Sequence, residues 1–190
     1  MIPIRTIGHS NHPVDRFVAL LKAAGVAVVI DVRSTPWSRR FPQFGRERLA
    51  EALAAHGIGY RHEGAALGGR PAGPAGGGPG YEALAARPAF GAALDRLVAE
   101  AATRTLCLMC AEKEPLDCHR TVLVARRLAE RGVPVEHLLA DGGRRDHAAI
   151  EDALLGPGDD LFATAAPRAE RLAEAWRLRE RAMKRGRPAW

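Results

Sequence analysis

Short apolar runs alternate with amphipathic stretches along most of this sequence, and this alternation constrains the fold more than any other feature. Residues 26–32 are a nearly continuous β-branched run, typical of a strand buried on both faces. Residues 15–24 have helical periodicity instead, with Phe17, Leu20 and Leu21 on one face. Repeated strand–helix–strand units predict an α/β fold, with a mostly parallel sheet flanked by helices.

The same pattern predicts the order of elements and the domain organisation. We expect about five strands, at residues 3–8, 26–32, 58–62, 105–110 and 135–139. Helices are expected at residues 15–24, 46–55, 81–87, 89–102, 119–131 and 167–185. A Gly/Pro-rich stretch at 64–80 is interpreted as a loop. We therefore expect a single α/β domain over residues 1–160 and a basic helical C-terminal extension over residues 161–190.

Composition excludes several classes of protein. With 190 residues, 47% of them hydrophobic, the chain can bury one ordinary core. Its three cysteines, an odd number, lack the spacing of a disulfide framework, which favours a reducing compartment. No apolar stretch reaches about 18 residues, and the N-terminus lacks the pattern of a signal peptide. We expect a cytoplasmic protein without a membrane partner.

The net charge of +6 is unevenly distributed. Residues 161–190 contain eight basic and three acidic residues, whereas residues 1–160 contain 20 and 19. The body is thus nearly neutral, and a high isoelectric point alone does not indicate a nucleic-acid-binding protein. In the extension, Leu172, Trp176 and Met183 share one helical face, which predicts docking on the body or on a second subunit.

Polar residues follow each predicted strand. In open parallel sheets, ligands bind beyond the carboxyl ends of the strands. We expect one cleft there, surrounded by His9, Asp31, Arg33, Glu112, Cys118, His119 and Arg120. Further polar clusters at 63–70 and 141–143 follow the third and fifth strands. Asp31 ends a buried run, so it is either functional or paired with an arginine such as Arg33.

The segment 110–120 is the richest of these clusters. Asp117 is a candidate N-cap, which would place Cys118, His119 and Arg120 in the first turn of a helix. The free N–H groups of that turn and the Arg120 guanidinium would favour an anion. Cys118 at such a position is biased toward the thiolate. Glu112 lies nearby for acid–base work or for orienting His119.

Several motifs together resemble one known family. They are His9-Ser10 after the first strand, Asp31-Val-Arg33-Ser-Thr-Pro36 with Ser38-Arg39-Arg40, Leu67-Gly-Gly69, Cys110-Ala-Glu112-Lys113 and Cys118-His119-Arg120. In this order and spacing, residues 4–142 resemble the domain of unknown function 488 family. The resemblance implies a bacterial or archaeal cytoplasmic α/β protein without an assigned activity, and it gives no roles to the matching residues.

The first hypothesis for function is an enzyme that acts on a small anionic substrate, such as a nucleotide or a phosphorylated metabolite. Its substrate-binding candidates are His9, Ser10, Asp31, Arg33, Ser38, Arg39 and Arg120. Glu112 or His119 would supply acid–base chemistry, and Cys110 or Cys118 a thiol, in a transferase or hydrolase. Sulfur transfer is one variant, because Asp31-Val-Arg33 is similar to a tripeptide of rhodanese-like domains, although their compact cysteine-to-arginine loop is missing.

Two alternatives remain open. A nucleic-acid-binding or regulatory module would use the basic run Arg33, Arg39, Arg40, Arg46 and Arg48, with Trp37, Phe41 and Phe44 interleaved. A metal-dependent hydrolase or sensor would use His9, Cys110, Cys118 and His119. The Cys-x7-Cys-His spacing differs from the usual zinc knuckle and leaves the fourth ligand open. The sequence therefore assigns no metal ligands and identifies no cofactor.

Overall fold

The computed structural model describes residues 2–70, 79–156 and 166–185. The strands are β1 (Ile4–Gly8), β2 (Val28–Asp31), β3 (Gly59–His62), β4 (Leu106–Cys110), β5 (Val135–Leu138) and β6 (Arg144–Asp146). The helices are α1 (Val14–Ala23), α2 (Arg46–Ala54), α3 (Gly64–Leu67), α4 (Tyr81–Ala85), α5 (Pro88–Ala101), α6 (Arg126–Ala129), α7 (His147–Leu155) and α8 (Arg168–Arg185).

These strands form one sheet in the order β3-β2-β4-β1-β5-β6. Strands β1 to β5 run parallel to one another, and β6 runs antiparallel to β5. The α/β fold with a mostly parallel sheet is thereby confirmed. The sixth strand was not expected, because Arg144–Asp146 is short, polar and exposed and so lacks an apolar signal.

Helices cover both faces of the sheet and set the two halves of the core. One face packs on α1 and α2 through residues such as Phe17 and Leu53. The other packs on α4 to α8 through residues such as Leu94 and Leu128. Alternation along β4 follows this division, since Cys107 belongs to the first half and Cys110 to the second.

Local structure differs from the sequence-based expectation in three places. The expected loop at 64–80 begins with helix α3, and its residues 71–78 lie outside the described part of the chain. The expected helix at 119–131 starts with a π-helical segment, Arg120–Ala125, before α6. Helix α7 was missed, although it covers the sheet with the buried residues His147 and Ile150.

The C-terminal helix α8 packs on the body of the same chain. Trp176 and Met183 are buried in the half of the core that contains Leu94 and Leu128, and Leu172 packs against it. The Trp176 ring also stacks on His147, with centroids 5.8 Å apart. Residues 161–165 and 186–190 of the expected extension lie outside the described residues. Among those described, no helix is both long enough and apolar enough to span a bilayer.

Candidate functional site

A cleft opens at the carboxyl ends of three adjacent strands, β1, β4 and β2. Its volume is about 1090 Å³. The loops after these strands supply most of its lining, together with the turn after α3 and His119. The lining residues are His9, Ser10, Asn11, Arg33, Ser34, Thr35, Trp37, Ser38, Arg39, Arg40, Phe41, Gly69, Arg70, Cys110, Ala111, Glu112, Lys113 and His119. The cleft therefore lies where parallel sheets place ligands.

Four side chains meet at the floor of this cleft, and we call them the floor cluster: Cys110, Glu112, Cys118 and His119. The Sγ atoms of Cys110 and Cys118 each lie 3.0 Å from Glu112 Oε2. His119 Nδ1 lies 3.5 Å from the first sulfur and 4.0 Å from the second. Cys110, Glu112 and His119 face the cleft, whereas Cys118 is fully buried beneath them.

The His119 ring has a defined orientation. Its Nε2 lies 2.9 Å from the carbonyl oxygen of Val32, which can only accept, so Nε2 donates. In the neutral imidazole, Nδ1 then presents its lone pair to the floor cluster. Gly69 permits this placement, because a Cβ there would lie 2.7 Å from the Cβ and Cγ of His119.

The floor cluster perturbs the ionisation of its own members. Burial, with the charge of Cys118, raises the pKa of Glu112. Burial raises the pKa of Cys110 well above its usual value, with the neighbouring thiol and carboxyl adding to the effect. For Cys118, burial acts in the same direction, but the hydrogen bond with Cys110 and the charge of Arg120 outweigh it and lower the pKa. Such perturbed groups in a cleft are typical of functional sites.

The pKa of His119 is raised above its ordinary value. Burial alone would lower it, but the hydrogen bond and charge of Cys118 and the charge of Glu112 outweigh burial. The charges of Cys118 and Glu112 therefore favour the protonated form of His119.

Asp31 and Arg33 form the buried ion pair that the sequence offered as one alternative. Arg33 Nη2 and Nε donate to the Asp31 carboxylate at 2.6 and 2.9 Å, and Tyr60 Oη donates to it at 2.7 Å. Arg33 also donates to the carbonyl of Phe44 at 2.8 Å. Asp31 is fully buried and does not line the cleft. Arg33 does reach the cleft, but most of its donors are already engaged.

His9 lies at the cleft wall and is held as a neutral ring. Its Nδ1 donates to the Ser10 carbonyl, and its Nε2 lies 3.3 Å from Arg33 Nη1. The ring stacks on Phe44 with centroids 4.2 Å apart. Burial and the Arg33 charge lower the pKa of His9 to about 4. His9 is not a member of the floor cluster, so Glu112 stands where the sequence-based metal hypothesis placed His9.

Arg120 differs from expectation. It was expected to present its guanidinium to an anion, yet it is fully buried and does not line the cleft. Nη1 donates to the Glu112 carbonyl at 2.6 Å and Nη2 to the Lys113 carbonyl at 3.1 Å. Arg120 therefore holds the loop that carries Glu112. The backbone N–H of Arg120 is not free either, since it donates to Cys118 Sγ at 3.4 Å.

Asp117, Glu63 and residues 141–143, which the sequence placed among the polar groups at the strand ends, lie outside the cleft. Asp117 does not cap a helix but pairs with Arg179 of α8. Glu63, after β3, pairs with Arg61 and Arg96. Residues 141–143 form the turn into β6. Asp117, Glu63 and residues 141–143 do not line the cleft, whereas Gly69 and Arg70 of the expected cluster at 63–70 do line it.

The rim of the cleft is cationic. Arg39, Arg40, Arg70 and Lys113 are exposed, and none has an ion pair within residues 2–70, 79–156 and 166–185. Trp37 is 60% exposed, and the Arg39 guanidinium lies 5.9 Å from its ring centroid. Ser10 and Ser38, both expected site residues, line the cleft as well. Arg70 and Lys113 were not among the expected binding residues, although Gly-Gly-Arg70 and Glu-Lys113 follow predicted strands and gave a usable signal.

A mostly parallel sheet with helices on both faces defines an α/β protein class. The family described as "Domain of unknown function DUF488" matches residues 13–127, more than half of the chain, and this chain belongs to that family. The matched range contains the whole floor cluster and the basic rim, and it leaves out β1 with His9. Neither a search of curated proteins nor a search of solved structures gave a match.

Proposed function

We propose that this protein is an enzyme that binds a small anionic substrate, a nucleotide or another phosphorylated molecule, in the cleft. The observation that carries the proposal is the charge of the cleft. Four exposed cationic side chains surround it and have no acidic partner in the described part of the chain. Among the described residues, one carboxyl lines the cleft, that of Glu112, which has a raised pKa and lies at the floor. An anion at the rim would neutralise cations that nothing else in the described residues pairs with.

The size and the lining of the cleft favour a nucleotide-sized molecule. Ligand pockets typically enclose about 300–1,000 Å³, and the volume of this cleft, about 1090 Å³, lies slightly above that range. Trp37 offers an exposed aromatic face beside Arg39. A base can stack on such a ring while the guanidinium binds a phosphate.

The floor cluster supplies the chemistry of the proposed enzyme. Glu112 and His119 are positioned for proton transfer, and two thiols lie beside them. A substrate held at the rim by Arg39 and Arg70 would present its reacting group to these side chains. The proposed reaction class is group transfer or hydrolysis.

Calorimetric titration with inorganic phosphate and with a panel of nucleoside monophosphates tests this proposal. We expect the double variant Arg39→Ala/Arg70→Ala to lose at least about tenfold in affinity, corresponding to one charge-assisted contact or more. Arg104→Ala is the matched control, because Arg104 is exposed just before β4, at the amino ends of the strands and away from the cleft. Equal affinity in the double variant and in the control would contradict the proposal.

A second candidate function is binding of single-stranded nucleic acid. A smaller cavity of about 460 Å³ continues from Trp37 to the exposed Arg46 and Arg48. Phe44, however, is buried in the core, so it cannot stack on a base. The salt dependence of binding to mixed-sequence RNA decides between the two functions, since phosphate contacts give a steep slope and a slope near zero excludes this candidate.

A further inference from the structure

We propose that the floor cluster is a tetrahedral zinc site, with Cys110, Glu112, Cys118 and His119 as its ligands. This inference goes beyond the proposed function and does not depend on it, because a zinc ion can be held whether or not an anion binds above it. The four ligand atoms all lie within 4.8 Å of one another.

The separations of these atoms fit a zinc ion at their centre. Zinc binds thiolate sulfur at about 2.3 Å and imidazole nitrogen or carboxylate oxygen at about 2.0–2.2 Å, so ligand atoms of a tetrahedral site are about 3.4–3.8 Å apart. The sulfur-to-oxygen distances here are 3.0 Å, and the sulfur-to-nitrogen distances are 3.5 and 4.0 Å. Because the largest separation in the set is no more than 4.8 Å, shifts of up to about one ångström would complete the geometry, and side-chain rotation can provide them.

Hydrogen bonds around the floor cluster orient the ligands as zinc sites require. A zinc-bound histidine commonly donates its second ring N–H to a carbonyl or carboxylate, which fixes the ring and its tautomer. Here His119 Nε2 donates to the Val32 carbonyl and leaves Nδ1 facing the two sulfurs. Cys118 Sγ accepts the Arg120 backbone N–H at 3.4 Å, a bond that stabilises a thiolate.

The chemistry of the donor set selects the metal. Two sulfurs and an imidazole favour zinc over magnesium or calcium, which take oxygen ligands. Two thiolates and a carboxylate packed at the floor would repel one another in the ionised state, and a divalent cation removes most of that repulsion. Because Cys110, Glu112 and His119 face the cleft, the ion would be reachable by an anion bound at the rim. Zinc there would supply a Lewis acid beneath the bound anion.

Elemental analysis and metal titration of the full chain test the zinc site. We expect one equivalent of zinc in protein expressed with zinc supplementation, and one equivalent taken up again after chelation. Replacement by Co²⁺ should give the intense visible absorption of a tetrahedral cobalt site with thiolate ligands. Cys118→Ala and His119→Ala should each weaken zinc binding by at least about 100-fold, since losing a ligand costs at least as much as losing a partner of a ligand.

Cys107→Ala is the matched control. Cys107 lies on β4 like the ligand Cys110, but it packs in the opposite half of the core. This variant should retain wild-type zinc affinity. Circular dichroism of every variant, with and without zinc, separates loss of a ligand from unfolding. Glu112→Gln is a second variant that removes a ligand charge with almost no change in side-chain shape. The site would be overturned if the wild-type chain took up no zinc after chelation. It would also be overturned if Cys118→Ala bound zinc with the same affinity as Cys107→Ala. One equivalent of iron in place of zinc would overturn the choice of metal. Phosphate titration of the zinc-free protein reports on the rim separately.

Discussion

His119 Nε2 donates a hydrogen bond to the carbonyl oxygen of Val32, 2.9 Å away, and so joins the segment after β4 to the loop after β2. The two residues are 87 positions apart in the chain. The bond satisfies a carbonyl at the end of a buried strand and fixes the side of the imidazole that faces the floor cluster. The geometry of the floor cluster thus depends on the relative position of two strands.

Gly69→Ala should displace His119. The new Cβ would lie 2.7 Å from the Cβ and Cγ of that side chain, closer than atoms pack. We expect a loss of about 1–3 kcal/mol in the free energy of unfolding, the usual cost of overpacking. Urea denaturation measures it. Gly91→Ala in α5 is the control and should be neutral or stabilising, because its Cβ would meet only one arginine nitrogen at 3.8 Å. Equal effects of the two substitutions would contradict the prediction.

Asp31→Asn should destabilise the fold strongly. Asp31 is fully buried and accepts hydrogen bonds from Arg33 and Tyr60, so the amide leaves the Arg33 charge without its counterion. Removing one partner of a buried pair costs about 3–5 kcal/mol. Chemical denaturation checks this, with Asp15→Asn on the exposed face of α1 expected to change stability by less than about 0.5 kcal/mol. A change at Asp31 as small as that at Asp15 would show that the pair is dispensable.

Arg120→Ala should lower the stability of the fold, whereas Arg39→Ala should lower the affinity for phosphate. Arg120 is fully buried and holds two backbone carbonyls of the Glu112 loop, so its loss should cost about 3 kcal/mol or more in stability. Arg39 is exposed at the rim, so its loss should leave the melting temperature nearly unchanged and weaken phosphate binding. Calorimetric scanning and titration of both variants give the two readouts. An Arg120→Ala variant as stable as the wild type would refute its structural role.

Stability should fall as the pH decreases from about 6.5 to about 4. Burial, with the Arg33 charge at His9, lowers the pKa of His9 and His147 to about 4 in the folded chain. In this window the unfolded chain binds protons that the folded chain does not, so protonation favours unfolding. Each histidine should contribute a slope of up to about 1.4 kcal/mol per pH unit.

Urea denaturation at several pH values between 4 and 7 measures this slope. We expect His147→Gln to reduce it by about one proton. The exposed His56 gives the control variant, His56→Gln, which should keep the wild-type slope. A wild-type stability that does not change across the window would show that these histidines titrate normally.

Trp176→Ala should detach α8 from the body. The Trp176 ring is buried in the core and stacks on His147, so its removal leaves a large cavity. Such truncations cost about 3–5 kcal/mol. Leu178→Ala is the control, because Leu178 is 51% exposed on the same helix. Phosphate affinity of the folded variant should match the wild type, since no α8 residue lines the cleft. A collapse of affinity in folded protein would place α8 at the site.

Local patterns in the sequence were sufficient for the fold class and for most elements. A strand buried on both faces needs a continuous apolar run, as in β2 and β4, and a helix on a sheet needs one apolar face, as in α1 and α5. The sequence did not predict strand β6 or helix α7, because the apolar patterns in these two segments are weaker. Strand β6 is held by pairing with β5, which is a property of the tertiary structure.

The sequence by itself placed Cys110, Glu112, Cys118 and His119 near one another, because they flank a single strand end and follow each other closely in the chain. The tertiary structure decided which polar groups face the cleft. Arg39 and Arg120 both follow strand ends, yet one is exposed at the rim and the other is buried among backbone carbonyls. Whether a polar side chain is buried and hydrogen-bonded depends on contacts between distant segments of the chain, such as that of His119 with Val32. A local sequence pattern does not contain information about those contacts.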